Sequence, residues 1–228
     1  MRYISLIFLS LVFSFPTLSQ NFTYSDSLRG NLSEFRSCYD VFYYDLNVIV
    51  DDHQKKLVNS SNTIHATAIS NFQKIQIDLF ENLKIHSIQF EEKILEFQRV
   101  HNAVFINFPR VINVNEKISF KVMYSGKPRV AVNPPWDGGF SWEKDNNGNS
   151  WIGVSCQGLG ASSWWPCKDH QSDEPDSMSI TSIVRYPLQV ISNGKKKSDK
   201  TFFSDKLQSK ANKSSWFVSY PINNYNVT

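Results

Sequence analysis

The 228-residue sequence is poor in the residues that build small specialised folds. It holds three cysteines, Cys38, Cys156 and Cys167, which is an odd number and too few for a dense disulfide framework. One bridge can form, and the sequence leaves all three pairings open. Because no Cys-x-x-Cys pair occurs, the cysteines argue against a zinc ribbon and against a redox dithiol.

A large net charge and a bias toward glycine or proline are also missing. The nine Gly, nine Pro and 20% charged residues exclude a collagen-like rod, a low-complexity linker and a disordered tail. With 24 Lys and Arg against 21 Asp and Glu, the net charge of +3 is too small for a typical nucleic-acid binder, so we predict no nucleic-acid partner. The one dense basic run, Lys195-Lys196-Lys197, is predicted to lie in a solvated loop.

Aromatic residues, in contrast, are abundant, with 17 Phe, nine Tyr and six Trp. Such residues favour strands and supply the area for a sizeable core. The length fits one large all-β domain or two small ones.

The N-terminus has the pattern of a secretory signal. A basic Met1-Arg2 start precedes an apolar run from Tyr3 to Phe15, and small residues at Thr17 and Ser19 suit a cleavage site. The run is shorter than the ~20 apolar residues that a spanning helix needs. We therefore expect a signal peptide at 1–19 and a mature chain that is secreted or periplasmic, with no membrane span.

Strand periodicity governs the rest of the chain. Residues 20–38 show no sustained period and are interpreted as a mature N-terminal arm. From Tyr39 onward, apolar and polar residues alternate, which predicts strands with one buried face in the segments 42–50, 64–68, 75–79, 85–90, 104–108 and 120–124. A fault in the alternation between Ile85 and Ile88 indicates a bulge. The prediction is an all-β domain over 39–228, an antiparallel β-sandwich or saddle.

Residues 133–178 differ from these alternating segments. They carry five of the six Trp residues. They also contain a predicted hairpin, whose Asn147-Gly148 dipeptide predicts a tight type I′ turn. Long non-alternating segments in compact domains usually mark a site or an interface. Four acidic residues near His170 could suggest a metal site: Asp169, Asp173, Glu174 and Asp176. We instead predict that they lie in a solvated loop or cap the next strand.

This segment resembles a known family. Gln157-Gly158, followed ten residues after the Gln by the Cys of Trp165-Pro166-Cys167-Lys168-Asp169, is similar to the N-terminal domain of the aminopeptidase N family of zinc aminopeptidases. The first predicted strand, Tyr39 to Leu46, resembles the opening of that domain. The stretch Asn133 to Gly139 is similar to its Bacteroidetes-like branch.

The resemblance implies a β saddle that packs on a thermolysin-like catalytic domain, whose zinc is held by His-Glu-x-x-His and a downstream Glu. None of the five histidines here is followed by Glu, and no two are four residues apart. We therefore expect no catalytic residue and no zinc ligand in this chain, which alone should be inactive. Zinc would be bound in a longer parent protein, by a catalytic domain that follows Thr228.

The resemblance also assigns substrate-binding residues. Gln157 matches the family glutamine that helps hold the amino-terminal residue of a peptide substrate, and Cys156 and Gly158 flank it. The residues between Gln157 and Pro166 depart from the family pattern at Ala161 to Trp164, which often includes a charged residue. The alternative is a stand-alone secreted β-sandwich that binds a carbohydrate or protein ligand on exposed tryptophans, namely Trp136, Trp142 and Trp164.

Overall fold

The computed structural model describes residues 22–228, so the predicted signal peptide lies outside the described residues. Two short helices are followed by strands in chain order. The bounds are α1 Tyr24–Gly30, α2 Glu34–Ser37, β1 Tyr39–Asp51, β2 Lys56–Ala68, β3 Phe72–Asp78, β4 Leu83–Phe90, β5 Lys93–Ile94, β6 Phe97–Val100, β7 Ala103–Ile112, β8 Lys117–Gly126, β9 Gly139–Lys144, β10 Ser150–Ser155, β11 Ser177–Arg185, β12 Lys195–Ser204 and β13 Ser209–Val218. Two 3₁₀ turns lie at Ala161–Ser163 and Asn224–Asn226.

The strands form one large sheet, one small sheet and a hairpin. The large sheet has the order β12-β13-β11-β1-β2-β8-β4-β5, the small sheet has the order β3-β7-β6, and β9 pairs with β10. Neighbouring strands run antiparallel except β1 and β11, which pair in parallel. The all-β antiparallel prediction is therefore confirmed, with one parallel pair, in which Tyr43 of the first strand lies opposite Ser177 of β11.

The core lies between the large and the small sheet. Alternate residues of β1, such as Tyr44 and Leu46, turn inward, while every second residue of β8 is buried in the same way. Phe108 of β7 links the sheets because its ring lies 5.0 Å from the Phe90 ring and 5.9 Å from the Phe120 ring. Aromatic rings at these centroid distances pack edge to face.

The predicted bulge is present, because the β4–β8 register shifts between Ile85 and Ser87. The predicted type I′ turn is wrong. Gly148 has a positive φ of 82°, but Asn147 does not, as an I′ turn would require. The Asp145 carboxylate instead accepts hydrogen bonds from the backbone N–H groups of Asn147 and Asn149, both at 2.8 Å, and so sets a longer loop.

Two further segments differ from the sequence-based expectation. The basic run predicted to be a loop is part of β12, an edge strand of the large sheet. Lysines on an edge strand discourage pairing with other chains, so the same residues suit an edge as well as a loop. The arm contains α1 and α2, which the sequence pattern did not indicate.

No helix among residues 22–228 is long and apolar enough to span a membrane.

Candidate functional site

Gln157 lies at an open cavity of about 600 Å³, here called the Gln157 cavity. Four segments form its walls: helix α1, the loop that follows β10, the segment after Cys167, and the second 3₁₀ turn. The Gln157 side chain is exposed at this surface. The lining residues are Asp26, Arg29, Gly30, Gln157, Gly158, Gly160, Asp169, His170, Gln171, Asn223, Asn224 and Tyr225.

The loop that carries Gln157 is a tight backbone turn. The N–H groups of Leu159 and Gly160 both donate to the Cys156 carbonyl, at 3.1 and 2.7 Å. Gly160 has φ +95°, a conformation that residues with a Cβ rarely adopt. A Cβ on Gly160 would also collide with the Asp169 carboxylate. A glycine is therefore required three residues after Gln157.

Asp169 ties this loop to the Pro-Cys-Lys-Asp segment. Its Oδ2 accepts from the Ser162 N–H at 3.0 Å and from the Ser162 hydroxyl at 2.6 Å. The backbone of Cys167 pairs with Asp78 of β3 through two hydrogen bonds, at 2.7 and 3.1 Å. The segment is thus fixed to the small sheet, and Asp169 fixes the Gln157 loop to the segment. This arrangement gives a physical reason for the ten-residue spacing from Gln157 to Cys167.

A buried polar layer lies behind the cavity. Arg36 of α2 forms an ion pair with Asp78 at 2.6 Å, and both side chains are buried. Burial raises the pKa of Asp78 to about 6, while the Arg36 guanidinium opposes this shift. A second buried pair joins Lys168 and Asp173 at 3.4 Å, and the Tyr44 hydroxyl donates to Asp173 at 2.9 Å. Burial also raises the pKa of Asp173.

The structure places the three predicted site residues at different depths. Gln157 and Gly158 are exposed on the cavity wall. Cys156 is 1% exposed, and its thiol donates to the Tyr225 carbonyl at 3.2 Å. Burial raises the pKa of the Cys156 thiol to about 12. Cys156 therefore supports the loop from the protein interior. That Gln157 and Gly158 contact substrate remains a prediction.

Sequence reasoning missed the α1 wall of the cavity. Arg29 reaches the Gln157 loop, where its Nη2 donates to the carbonyls of Gly158 and Leu159. One signal could have indicated this helix: Thr23 and Asp26 have the spacing of a capping box, and the structure contains both reciprocal hydrogen bonds. Nothing in the sequence pattern indicates that the helix lies against residues 158–159.

The acidic residues near His170 do not converge. Asp169 binds the Ser162 turn, and Asp173 is buried against Lys168, so a solvated loop is the wrong description of Asp173. Between residues 22 and 228, no three His, Cys, Asp or Glu side chains are grouped closely enough to hold a metal ion. The three cysteines are free thiols and are buried.

The tryptophans do not form the three-ring platform expected for a carbohydrate module. Trp164 is 5% exposed and packs edge to face on Phe140, with ring centroids 6.0 Å apart. The Trp142 ring stacks on the Phe140 ring, with centroids 5.2 Å apart, and is partly buried. Only Trp136 of the three is largely exposed. The prediction that Trp164 is exposed is therefore wrong, because the hairpin β9–β10 covers it.

A second, more apolar cavity of about 380 Å³ lies beside this hairpin. We call it the hairpin groove. Its walls come from β1, β10, β11 and the segment 188–191, and most of its lining side chains are aliphatic or aromatic: Val48, Val50, Phe140, Ile152, Val154, Trp164, Val184, Leu188, Val190 and Ile191. Ile191, which is 87% exposed, extends this apolar area outward.

No protein-family model matches the sequence, and no curated protein matches it. Solved structures do match. The M1 zinc metallopeptidase from Deinococcus radiodurans aligns at 18% identity with a TM-score of 0.70, over 87% of this chain and 43% of that one. A two-domain M1 zinc metallopeptidase bound to L-arginine aligns at 19% identity with a TM-score of 0.68, over 84% of this chain and 41% of that one.

A eukaryotic enzyme has a similar fold. Leukotriene A4 hydrolase from Saccharomyces cerevisiae aligns at 16% identity with a TM-score of 0.64, over 93% of this chain and 31% of that one. This chain therefore spans less than half the length of each of these enzymes. Identities this low show the fold and not the activity. The chain has the fold of the N-terminal domain of the M1 zinc metallopeptidases.

Proposed function

We propose that this chain is the substrate-side N-terminal domain of a secreted zinc metallo-aminopeptidase that removes amino-terminal residues from peptides. Gln157 would accept a hydrogen bond from the free amino terminus of the substrate. The observation that carries this proposal is the exposed position of Gln157 on a cavity wall, within a fold shared with M1 zinc metallopeptidases. One of these structures, a variant of the Deinococcus radiodurans enzyme, has a Tyr-Ser-Ala substrate bound.

The chemistry of the cavity suits an ammonium group. A Gln side-chain carbonyl is a neutral acceptor and does not compete strongly for a metal ion. The carboxylates of Asp26 and Asp169 line the same cavity, on different walls, and add negative charge. Hydrogen bonds from Thr23 lower the pKa of Asp26 below its ordinary value, and a carboxyl group with a pKa in this range is ionised at neutral pH. The Arg29 guanidinium, which would repel an ammonium group, is directed at two backbone carbonyls.

The residues described here do not fit a zinc site, because no ligand group converges between residues 22 and 228. The proposal therefore assigns zinc and the hydrolytic residues to a catalytic domain elsewhere in a longer parent protein. The hairpin groove is the proposed contact surface for that domain, because an apolar area of this kind is typical of an interface. Secretion rests on the sequence pattern of residues 1–19.

Replacement of Gln157 in the parent protein tests the proposal. The Gln157→Ala variant should lower kcat/KM for aminoacyl anilides by about 10- to 100-fold, the range expected when a hydrogen bond to a charged group is lost. Zinc content should stay the same, because Gln157 is not a ligand. Gln89→Ala on the exposed face of β4 is the matched control. Unchanged turnover and affinity in Gln157→Ala would remove Gln157 from the site.

A further inference from the structure

The N-terminal arm, of which the structure describes residues 22–38, forms one wall of the Gln157 cavity. Helix α1 contributes Asp26, Arg29 and Gly30 to this wall. These residues are about 130 positions away from Gln157 in the sequence, and no motif in the chain connects them. The cavity is therefore incomplete unless the arm is in place.

Arg29 contacts the two residues that follow Gln157. Its Nη2 donates to the Leu159 carbonyl at 2.5 Å and to the Gly158 carbonyl at 3.1 Å. The other hydrogen bonds of the loop close the turn at the Cys156 carbonyl or act on its later part, from Leu159 to Ser163. Within the described chain, the hydrogen bond to the Gly158 carbonyl comes from the Arg29 side chain. Since glycine restricts the backbone least, this carbonyl contact limits how far Gln157 can move.

The sheet holds Arg29 in place through a separate set of bonds. Arg36 Nη1 donates to the carbonyls of Arg29 and Asn31, at 2.7 and 2.9 Å. The same guanidinium is anchored by Asp78 of β3. The Gln76 side chain donates to the Leu28 carbonyl at 3.0 Å. The position of helix α1 is thus fixed by buried side chains of α2 and of the small sheet. Arg29 then connects this helix to the Gln157 loop.

We propose that the N-terminal arm is a working part of the substrate site and that Arg29 is a positioning residue for Gln157. The inference rests on the proposed function. Arg29 does not touch the substrate amino terminus; it holds the Gly158 and Leu159 carbonyls so that the Gln157 amide faces the cavity. Loss of Arg29 should allow the Gln157 loop to sample other conformations, which weakens binding of substrates with a free amino terminus.

The test is a double-mutant cycle in the full-length parent protein. Arg29→Ala should raise KM for an aminoacyl anilide by about 5- to 10-fold, with a smaller change in kcat. In a Gln157→Ala background, Arg29→Ala should raise KM no further, because Arg29 acts through Gln157. Arg29→Lys keeps one donor at the loop and should recover part of the affinity. Arg110→Ala, which removes an exposed arginine bonded to Glu91 and Glu116, is the control.

Hydrogen exchange supplies a second measurement that does not depend on turnover. Arg29→Ala should speed amide exchange in peptides that cover residues 157–160, while peptides from β1 and β2 keep their exchange rates. Arg110→Ala should leave residues 157–160 unchanged. Unchanged exchange in Arg29→Ala would overturn the positioning role whatever the kinetics show.

The outcomes separate this inference from the proposed function. If Gln157→Ala impairs binding and Arg29→Ala does not, the positioning role is wrong and the proposed function stands. If the two effects add, Arg29 acts independently of Gln157 and the positioning role is again wrong. If Gln157→Ala has no effect, the proposed function fails, and the role of Arg29 toward substrate fails with it.

Discussion

Asp78 connects the arm, the small sheet and the Pro-Cys-Lys-Asp segment through a single buried carboxylate. It pairs with Arg36, accepts from Gln76 at 3.0 Å, and accepts from the Asp169 N–H at 3.1 Å. Removal of a buried partner is costly because the remaining charge cannot reach water. At the scale of single residues, the geometry of the Gln157 cavity therefore depends on groups that lie outside it.

The raised pKa of Asp78 makes stability depend on pH. Its folded-state pKa of about 6 exceeds the ordinary value of 3.8, so the folded protein binds more protons than the unfolded chain between these values. This carboxyl should therefore lower the free energy of unfolding as pH rises from about 4 to 6, by up to about 3 kcal/mol in total. Above the folded-state pKa the effect should level off.

Urea unfolding of the wild type and of Asp78→Asn across pH 4–7 measures this effect. The free energy of unfolding of the wild type, minus that of Asp78→Asn, should fall as the pH rises from 4 to 6. A difference that is flat over this range would show that Asp78 keeps an ordinary pKa in the folded protein.

At the scale of elements, the Gln157 loop and the Asp169 segment act as one unit. Gly160→Ala should lower the free energy of unfolding by about 2–4 kcal/mol, because a Cβ at φ +95° is strained and meets the Asp169 carboxylate. In an Asp169→Ala background, Gly160→Ala should lower the free energy of unfolding by less, because the collision with the carboxylate is absent and only the backbone strain remains. Chemical denaturation measures both values.

Gly153→Ala is the matched control, because a Cβ at Gly153 meets open space and its φ is unrestrictive. Equal costs of Gly160→Ala with and without Asp169 would contradict the proposed contact. Thermal unfolding alone would not separate the strain of the backbone from the collision, whereas the cycle does.

The strands were predictable because alternation directly reports which face is buried. β1, β3, β4, β7 and β8 fall where the pattern placed them, and the bulge in β4 follows from the fault after Ile85. Helices α1 and α2 were not predictable in this way, since seven and four residues are too short to establish a helical period. The prediction of a type I′ turn at Asn147 was wrong because the Asp145 side chain sets the geometry of this loop.

The candidate site was predictable only in part. Gln157 and the Pro-Cys-Lys-Asp segment could be found by resemblance, because their spacing reflects one local structure. Arg29 could not, because its contact with Gly158 arises from the docking of the arm through Arg36 and Gln76. Long-range contacts between a short helix and a loop leave no periodic signal in the sequence.

At the scale of the whole molecule, the described residues present two surfaces of different chemistry. The Gln157 cavity carries charged and amide groups, whereas the hairpin groove is lined by aliphatic and aromatic side chains. The proposed function uses both, with the cavity facing the substrate and the groove facing a catalytic domain. The chain covers 43% of the Deinococcus radiodurans enzyme, and the catalytic domain is part of the proposal.

A crystal structure of the parent protein with a non-hydrolysable dipeptide analogue that has a free amino terminus would show whether Gln157 binds the substrate. We expect Gln157 Oε1 to lie about 3 Å from the ammonium nitrogen of the analogue, with zinc bound by residues outside 22–228. If other residues hold the amino terminus entirely and the Gln157 amide is directed into open solvent, the proposed function is wrong.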